Sequence, residues 1–175
     1  NNYDAVFRAD YTLTFQFPSI SFFFPEHQDM VGEWHVLPIG LDPGKIEEMD
    51  TPYYLVTEDT TRAHLKVRKR FDHKGTFGHI LLITGGYCKM GAAVLSSKAA
   101  LKTGSGLVTA HVPKLGYDIM QTALPEAMIS LDKSDSVFST LPERERFTNI
   151  GIGPGLGTQE ETRNALRKLL DVESR

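Results

Sequence analysis

The chain has 175 residues, and 41% of them are hydrophobic, enough to bury one ordinary core. Nineteen Lys and Arg stand against 22 Asp and Glu, a net charge of −3 that excludes the strongly basic surface of a nucleic-acid binder. The one cysteine, Cys88, excludes an internal disulfide and fits a reducing, cytoplasmic compartment. The six histidines are scattered without zinc-like spacing, so no metal site is read from them. The most apolar stretch, Leu13 to Phe24, contains Gln16, Pro18, Ser19 and Ser21 and falls short of the ~20 residues of a membrane span, so no membrane is expected as a partner. The start, Asn1-Asn2-Tyr3-Asp4, has neither a basic region nor an apolar core, and no signal peptide is expected. It also lacks an initiating methionine, and the sequence ends abruptly at Ser174-Arg175. A piece of a longer protein is therefore expected.

Ala5 to Phe17 alternates in part, with Tyr11, Leu13, Phe15 and Phe17 set against Thr12, Thr14 and Gln16. That period of two predicts a strand, which Pro18 ends. An apolar run from Ser21 to Pro25 and a turn-like stretch from Glu26 to Gly32 lead to a second strand, Glu33 to Ile39. Leu41 to Asp50 is acidic, with a turn at Asp42-Pro43-Gly44. Residues 48–70 read as a joining segment. Within it, Thr57-Glu58-Asp59 caps a short helix running to Leu65. The basic run Lys66, Arg68, Lys69 and Arg70 reads either as an anion-attracting rim or as a solvated linker face. His73 and Lys74, beside Gly75, have two readings also. They greet a phosphate, or they form a loop packed across a sheet edge with His73 bonded to backbone.

His79 to Thr84 is a short apolar run that stops at Gly85-Gly86, a buried strand entering a tight turn. A helix follows over 91–103. Val94, Leu95, Lys98, Ala99 and Leu101 recur on it at roughly helical spacing, and Gly104 and Gly106 end it. Leu107 to Val112 is a second strand. Strand, turn, helix, strand is a βαβ unit, so the two strands should be parallel. Leu115 to Thr122 reads as a short helix, Ala127 to Leu131 as a strand, and Asp132 to Glu145 as a charged short helix and loop over the surface. Phe147 to Ile152 is a strand entering Gly153-Pro154-Gly155-Leu156-Gly157. Thr158 then caps a helix over 159–170, with Leu166, Leu169 and Leu170 toward the core. The alternation predicts an α/β fold with a doubly wound, mainly parallel sheet.

Function is expected at the two glycine turns. Gly85 and Gly86 let backbone approach a ligand, and Gly91 precedes a helix whose free N–H groups favour an anion. Gly153 to Gly157 repeats that arrangement. The dinucleotide fingerprint and the P-loop both fail, the first on glycine spacing and the second because Ala92-Ala93 stands where Lys and Ser or Thr belong. A tight turn without a ligand is the competing reading, and the ligand-facing one is preferred because open α/β sheets bind ligands at such carboxyl ends of strands.

His73-Lys74-Gly75-x-x-Gly78, Ile83-x-Gly85-Gly86, Gly91-Ala92-Ala93-x-Leu95 and Ala100-Leu101-Lys102-x-Gly104-x-Gly106-Leu107-Val108 resemble the opening of the ADP/ATP-dependent NAD(P)H-hydrate dehydratases, in the ribokinase-like superfamily. Ala123-Leu124-Pro125-Glu126-Ala127-Met128 and Ile152-Gly153-Pro154-Gly155-Leu156-Gly157 resemble the next two signatures in order. The resemblance runs over roughly residues 52–172. Residues 1–47 resemble the carboxyl-terminal end of the Rossmann-like NAD(P)H-hydrate epimerase domain, through Ala9-Asp10, Thr12-Leu13-Thr14-Phe15, Pro18, Gly32 and Ile39-Gly40. Ser19 stands where lysine is usual. In bacteria the epimerase is commonly fused ahead of the dehydratase, the order found here. Domains are therefore expected at 1–47, 48–70 and 71–175, the last being the amino-terminal half of a ribokinase-like domain.

The resemblance implies that hydrated NADH or NADPH lies near Ala92 and Gly155, each kept small to make room for it, and that His73 and Lys74 lie near that site. It implies ADP or ATP with Mg²⁺ as co-substrate and K⁺ for the epimerase part. The whole enzyme would phosphorylate the C6 hydroxyl of the hydrate and then eliminate phosphate. Its catalytic aspartate follows a Gly-x-Gly-Asp stretch that this sequence lacks. Asp118, Asp132 and Asp135 lie on surface-like segments. No catalytic residue is assigned; they are expected beyond residue 175 and before residue 1. A ribokinase-like sugar or hydroxymethylpyrimidine kinase and a non-catalytic nucleotide-binding module are the competing readings. The open edge of half a sheet predicts a homo-oligomer.

Overall fold

A computed structural model describes residues 6–173. It divides into two compact units, one running to Leu65 and the other starting at Lys66.

In the first unit, β1 (Tyr11–Phe15) and β2 (Glu33–Leu37) pair in parallel, Tyr11 opposite Glu33 and Phe15 opposite Leu37. The expected strand began at Ala5, which lies outside the described residues. β1 ends at Phe15 because Gln16 turns to φ 61°. The connection is made of 3₁₀ turns and α1 (Gln28–Val31). One face of the pair, Thr12, Thr14, Trp34 and Val36, is half-buried, and the Trp34 ring meets those of Phe22 and Phe23 at 6.0 and 5.6 Å. On the other face Tyr11, Leu13, Phe15 and Leu37 are exposed. Asp42-Pro43-Gly44, expected as a turn, opens α2 (Pro43–Glu47) instead, with the Asp42 carboxylate accepting from Gly44 N at 2.9 Å. Asp at the cap and Pro at the first position suit a helix start as well as a turn. Thr57 caps α3 (Glu58–His64), with Thr60 closing the capping box.

The second unit contains β3 (His79–Ile83), α4 (Met90–Lys102), β4 (Leu107–Val112), α5 (Tyr117–Ala123), β5 (Met128–Leu131), β6 (Asn149–Ile152) and α6 (Glu160–Glu173). The four strands are parallel in the order β5-β4-β3-β6. β3 is a continuous apolar run because both its edges are paired and both its faces covered. On one face Leu81 and Ile83 pack with Phe138, Ala165 and Leu169. On the other Ala110 and Val112 pack with Met90, Ala93 and Met120. Helices on both faces make the sheet doubly wound, as the strand and helix alternation predicts.

Three local expectations fail. The buried stripe of α4 is Met90, Ala93 and Ser97, while Leu95 is 70% exposed. Small residues face the sheet because the helix lies close over it. On α6, Ala165 and Leu169 are buried but Leu170 is 57% exposed. Residues 132–145 form no helix; they are bends and turns pinned to the sheet, with Phe138 driven into the core at 1% exposure.

The entry to β3 is fixed by a close approach. The 3₁₀ turn Lys74–Phe77 lies so near the start of β4 that a Cβ on Gly106 would overlap the Lys74 carbonyl oxygen. Gly106→Ala should therefore lower stability by about 1–3 kcal/mol through forced backbone movement, read as a reduced urea midpoint. Gly91→Ala, whose Cβ meets open space, should leave the midpoint unchanged or raise it.

Candidate functional site

β3 and β6 are neighbours, so the turns that follow them open at the same carboxyl edge. They are bonded to each other directly. Gly153 N donates to Ile83 O at 2.8 Å, and Gly85 N donates to Pro154 O at 2.9 Å. The Thr84 hydroxyl donates to the same Pro154 carbonyl at 2.9 Å. Gly155 has φ +85°, and a Cβ there would lie 3.0 Å from Ala92 Cβ and 3.3 Å from Gly85 Cα. The structure thus supplies a reason for the small residues at 92 and 155 other than the one expected. Each is small because it packs against the other turn, and a valine at Gly155 would strain the backbone whether or not a ligand were present. Gly86 sits against the Gly155 carbonyl, 3.0 Å from where its own Cβ would be.

A second element presses on the first turn. Asp132 leaves β5 and is 1% exposed, not on a surface segment as its charged surroundings suggested. Its carboxylate accepts from Ser134 N at 2.9 Å, Ser139 N at 2.8 Å and Thr140 N at 3.0 Å, and from the Ser139 hydroxyl. It also faces His111 Nε2 at 3.1 Å, and His111 Nδ1 lies 2.9 Å from Ser130 Oγ. Residues 132–140 are curled around this carboxylate. From their outer side the Ser136 carbonyl accepts from Tyr87 N at 2.8 Å.

Burial alone would raise the Asp132 pKa. The Ser139 hydroxyl and the amides of Ser134, Ser139 and Thr140 outweigh it and push the group down to about 2. Burial lowers His111 below its ordinary 6.5, and Asp132 beside it opposes the shift only in part.

Of the residues expected at the site, Gly85, Gly86, Gly91, Ala92, Gly153 and Gly155 lie around the β3–β6 edge. His73 and Lys74 do not join them. They precede β3, at its amino edge, and the five residues of β3 put about 16 Å of strand between the two groups. His73 Nδ1 accepts from Gly75 N at 3.1 Å, which is the backbone-bonded reading of that loop. Arg68, from the basic run, lies at this same edge, 4.7 Å over the Phe77 ring, and donates to Gly104 O at 3.3 Å. Thr84 carries no sequence signal beyond closing an apolar run. Asp132 carries one: an Asp after a strand followed by Ser134, Ser136, Ser139 and Thr140 is the pattern of side chains bonding nearby amides. Among the described residues no group of three or more His, Cys, Asp or Glu stands ready to hold a metal ion. No helix among them is long and apolar enough to cross a membrane.

Strand order reverses at β3. The chain runs outward through β4 and β5, then returns to place β6 on the other side. Open α/β sheets bind ligands at such a reversal, and both glycine turns of this doubly wound α/β fold stand there. The NAD(P)H-hydrate dehydratase family matches residues 80–174, more than half of the chain, and the chain belongs to that family. The bifunctional NAD(P)H-hydrate repair enzyme Nnr of Escherichia coli is 32% identical over 165 residues, 94% of this chain and 31% of that protein. The crystal structure of the ADP/ATP-dependent NAD(P)H-hydrate dehydratase of Bacillus subtilis, co-crystallised with ATP and Mg²⁺, superposes with a TM-score of 0.55 at 31% identity, covering 66% of this chain and 41% of that one. A ribokinase-like superfamily protein of Enterococcus faecalis shares the fold, with a TM-score of 0.56 at 23% identity over 70% of this chain and 44% of that one. The chain thus spans about a third of the curated relative and under half of the solved structures.

The two titrating groups push in one direction. Asp132 is held well below its ordinary 3.8, so its stabilisation is complete above that value and is lost as pH falls from 3.8 through about 2; the shift corresponds to about 2 kcal/mol. His111 is held below 6.5, so the unfolded chain takes up its proton first and stability already declines as pH drops below 6.5. Urea midpoints should therefore fall from pH 7 to pH 5 and again toward pH 3. Asp132→Asn should be less stable at pH 7 and should lose the decline below pH 4.

Proposed function

We propose that this chain supplies the nicotinamide-nucleotide side of the active site of an ADP/ATP-dependent NAD(P)H-hydrate dehydratase, in a longer protein that also carries an NAD(P)H-hydrate epimerase. One observation carries the reading. In a chain of this family, two glycine turns are closed on each other at the reversal of the sheet, and the amino ends of α4 and α6 open onto the same edge. Backbone N–H groups at two helix starts favour the diphosphate of hydrated NADH or NADPH. On this reading Gly85, Gly86, Gly91, Ala92, Gly153 and Gly155 bind and orient the hydrate, their lack of bulk serving both the turn-to-turn contact and the ligand. His73 and Lys74 brace the amino edge and reach the ligand only if other parts of the protein extend it to them.

The family resemblance supports the chemistry of the whole protein: phosphoryl transfer from ADP or ATP to the C6 hydroxyl, then loss of phosphate to restore NAD(P)H. Mg²⁺ neutralises the transferring phosphate in such chemistry. Among the described residues no group of three or more His, Cys, Asp or Glu stands ready for Mg²⁺, which is assigned to the rest of the longer protein, and the family resemblance assigns K⁺ to the epimerase part. Residues 1–47 would close the epimerase domain, 48–70 join the two, and 71–175 open the dehydratase domain. The single cysteine supports a cytoplasmic home. Exposed Met128 and Leu131 on edge strand β5, and Ile152 on edge strand β6, support a homo-oligomer. Light scattering of the chain should give a mass that rises with concentration, and a constant monomer mass would contradict self-association.

Gly91→Glu tests the site. Its Cβ meets open space, and a carboxylate at a helix start suits the helix. The fold should hold, while the added charge opposes an anion. Titration calorimetry in the longer protein should show hydrated NADH bound about ten-fold more weakly, on the order of 1.4 kcal/mol, with an unchanged melting temperature. Equal affinity would remove the diphosphate from this edge.

A further inference from the structure

The strap over residues 132–140 touches the ligand-facing turn and is itself tied to one side chain. We propose that Asp132, with His111 behind it, is a positioning residue for the Gly85-Gly86-Tyr87 turn. This rests on the reading of that turn as part of the hydrate site.

The argument follows the bonds outward from the carboxylate. Asp132 fixes both ends of the strap, Ser134 N on one side and Ser139 N and Thr140 N on the other. Between those ends lies Ser136, whose carbonyl takes the Tyr87 amide at 2.8 Å. The same carbonyl lies 3.6 Å from where a Cβ on Gly86 would stand. Gly86 is therefore flanked on one side by the Gly155 carbonyl and on the other by the strap. The β6 turn is held by strand pairing, and the strap has no strand or helix of its own to hold it. Its place depends on Asp132, on Phe138 in the core, and on the Lys114 and Leu115 amides, which donate to Ser134 O and Asp135 O at 3.1 Å. His111 sits on the sheet side of Asp132 and meets the Phe138 ring edge-on at 5.9 Å. It aligns the carboxylate with strand β4, the strand that neighbours β3. An asparagine at 132 keeps the shape, but half of its side-chain head donates where the strap needs acceptors.

The test uses Asp132→Asn and Ser139→Ala in the longer protein at pH 7. Ser139→Ala removes one strap bond, that of the Ser139 hydroxyl to the Asp132 carboxylate, and leaves Asp132 itself in place. Amide hydrogen exchange is followed at Tyr87 and, as a reference for global opening, at Leu81 and Ala110. Affinity for hydrated NADH is measured alongside. Positioning predicts that Tyr87 quickens in both variants at least ten-fold more than Leu81 and Ala110, whose exchange rises only by the loss of global stability, and that affinity falls about five-fold or more. If Tyr87, Leu81 and Ala110 all quicken by the same factor, Asp132 serves the fold as a whole and the proposal is overturned. Tyr87 protection that is unchanged in both variants also overturns it. If Tyr87 loosens alone while even the unaltered protein fails to bind hydrated NADH, the positioning stands and the hydrate site is what has failed.

Discussion

A buried carboxylate surrounded by donors decides how this chain gets from one side of its sheet to the other. β5 is at one edge and β6 at the far side of β3, so the connection must travel back past two strands. Such crossovers in parallel sheets are usually made by a helix, which satisfies its own backbone. Here the whole connection, residues 132–148, is irregular, and its amides need partners. Asp132 supplies several at once from a position 1% exposed. An unpaired charge there would cost several kcal/mol, and the four donors with the His111 ring offset that cost. Phe138 then fills the core space that a crossover helix would have filled.

The glycine turns depend on this arrangement and on one another. What they achieve is a contact between two backbones, with Gly85 Cα, Gly155 and Ala92 within van der Waals reach. A packed turn and a binding turn call for the same residues here. A mutation at either glycine therefore cannot separate them, whereas Gly91, beside the contact but outside it, can.

Much of the second unit, and one helix of the first, was legible in the sequence. Apolar runs bounded by glycines gave β3, β4 and β6, and Thr57 and the alanine-rich stretch gave α3 and α4 within a residue or two. What failed did so for physical reasons. Leu95 looked like core because periodicity assumes that the largest residues face inward, yet α4 lies close to the sheet and only Met90, Ala93 and Ser97 fit beneath it. Asp132 looked solvated because composition cannot distinguish a charged surface loop from a loop wound around one charge. His73 and Lys74 had two readings in the sequence, and the bond from Gly75 N to His73 Nδ1 at the amino edge of β3 matches the loop reading without testing a role toward a ligand.

The bond from the Thr84 hydroxyl to Pro154 O spans 70 residues of sequence. β3, α4 and β4 are adjacent along the chain and can assemble by short loop closures. The edge where the turns meet cannot, because β6 must first be made and brought back. Closing a loop of that length is slow relative to local pairing. The edge that would receive a ligand thus needs the longest loop closure among the strand pairings of this sheet. A chain stalled before residue 153 would already have half of the crevice, with Gly85 exposed and nothing to bond it.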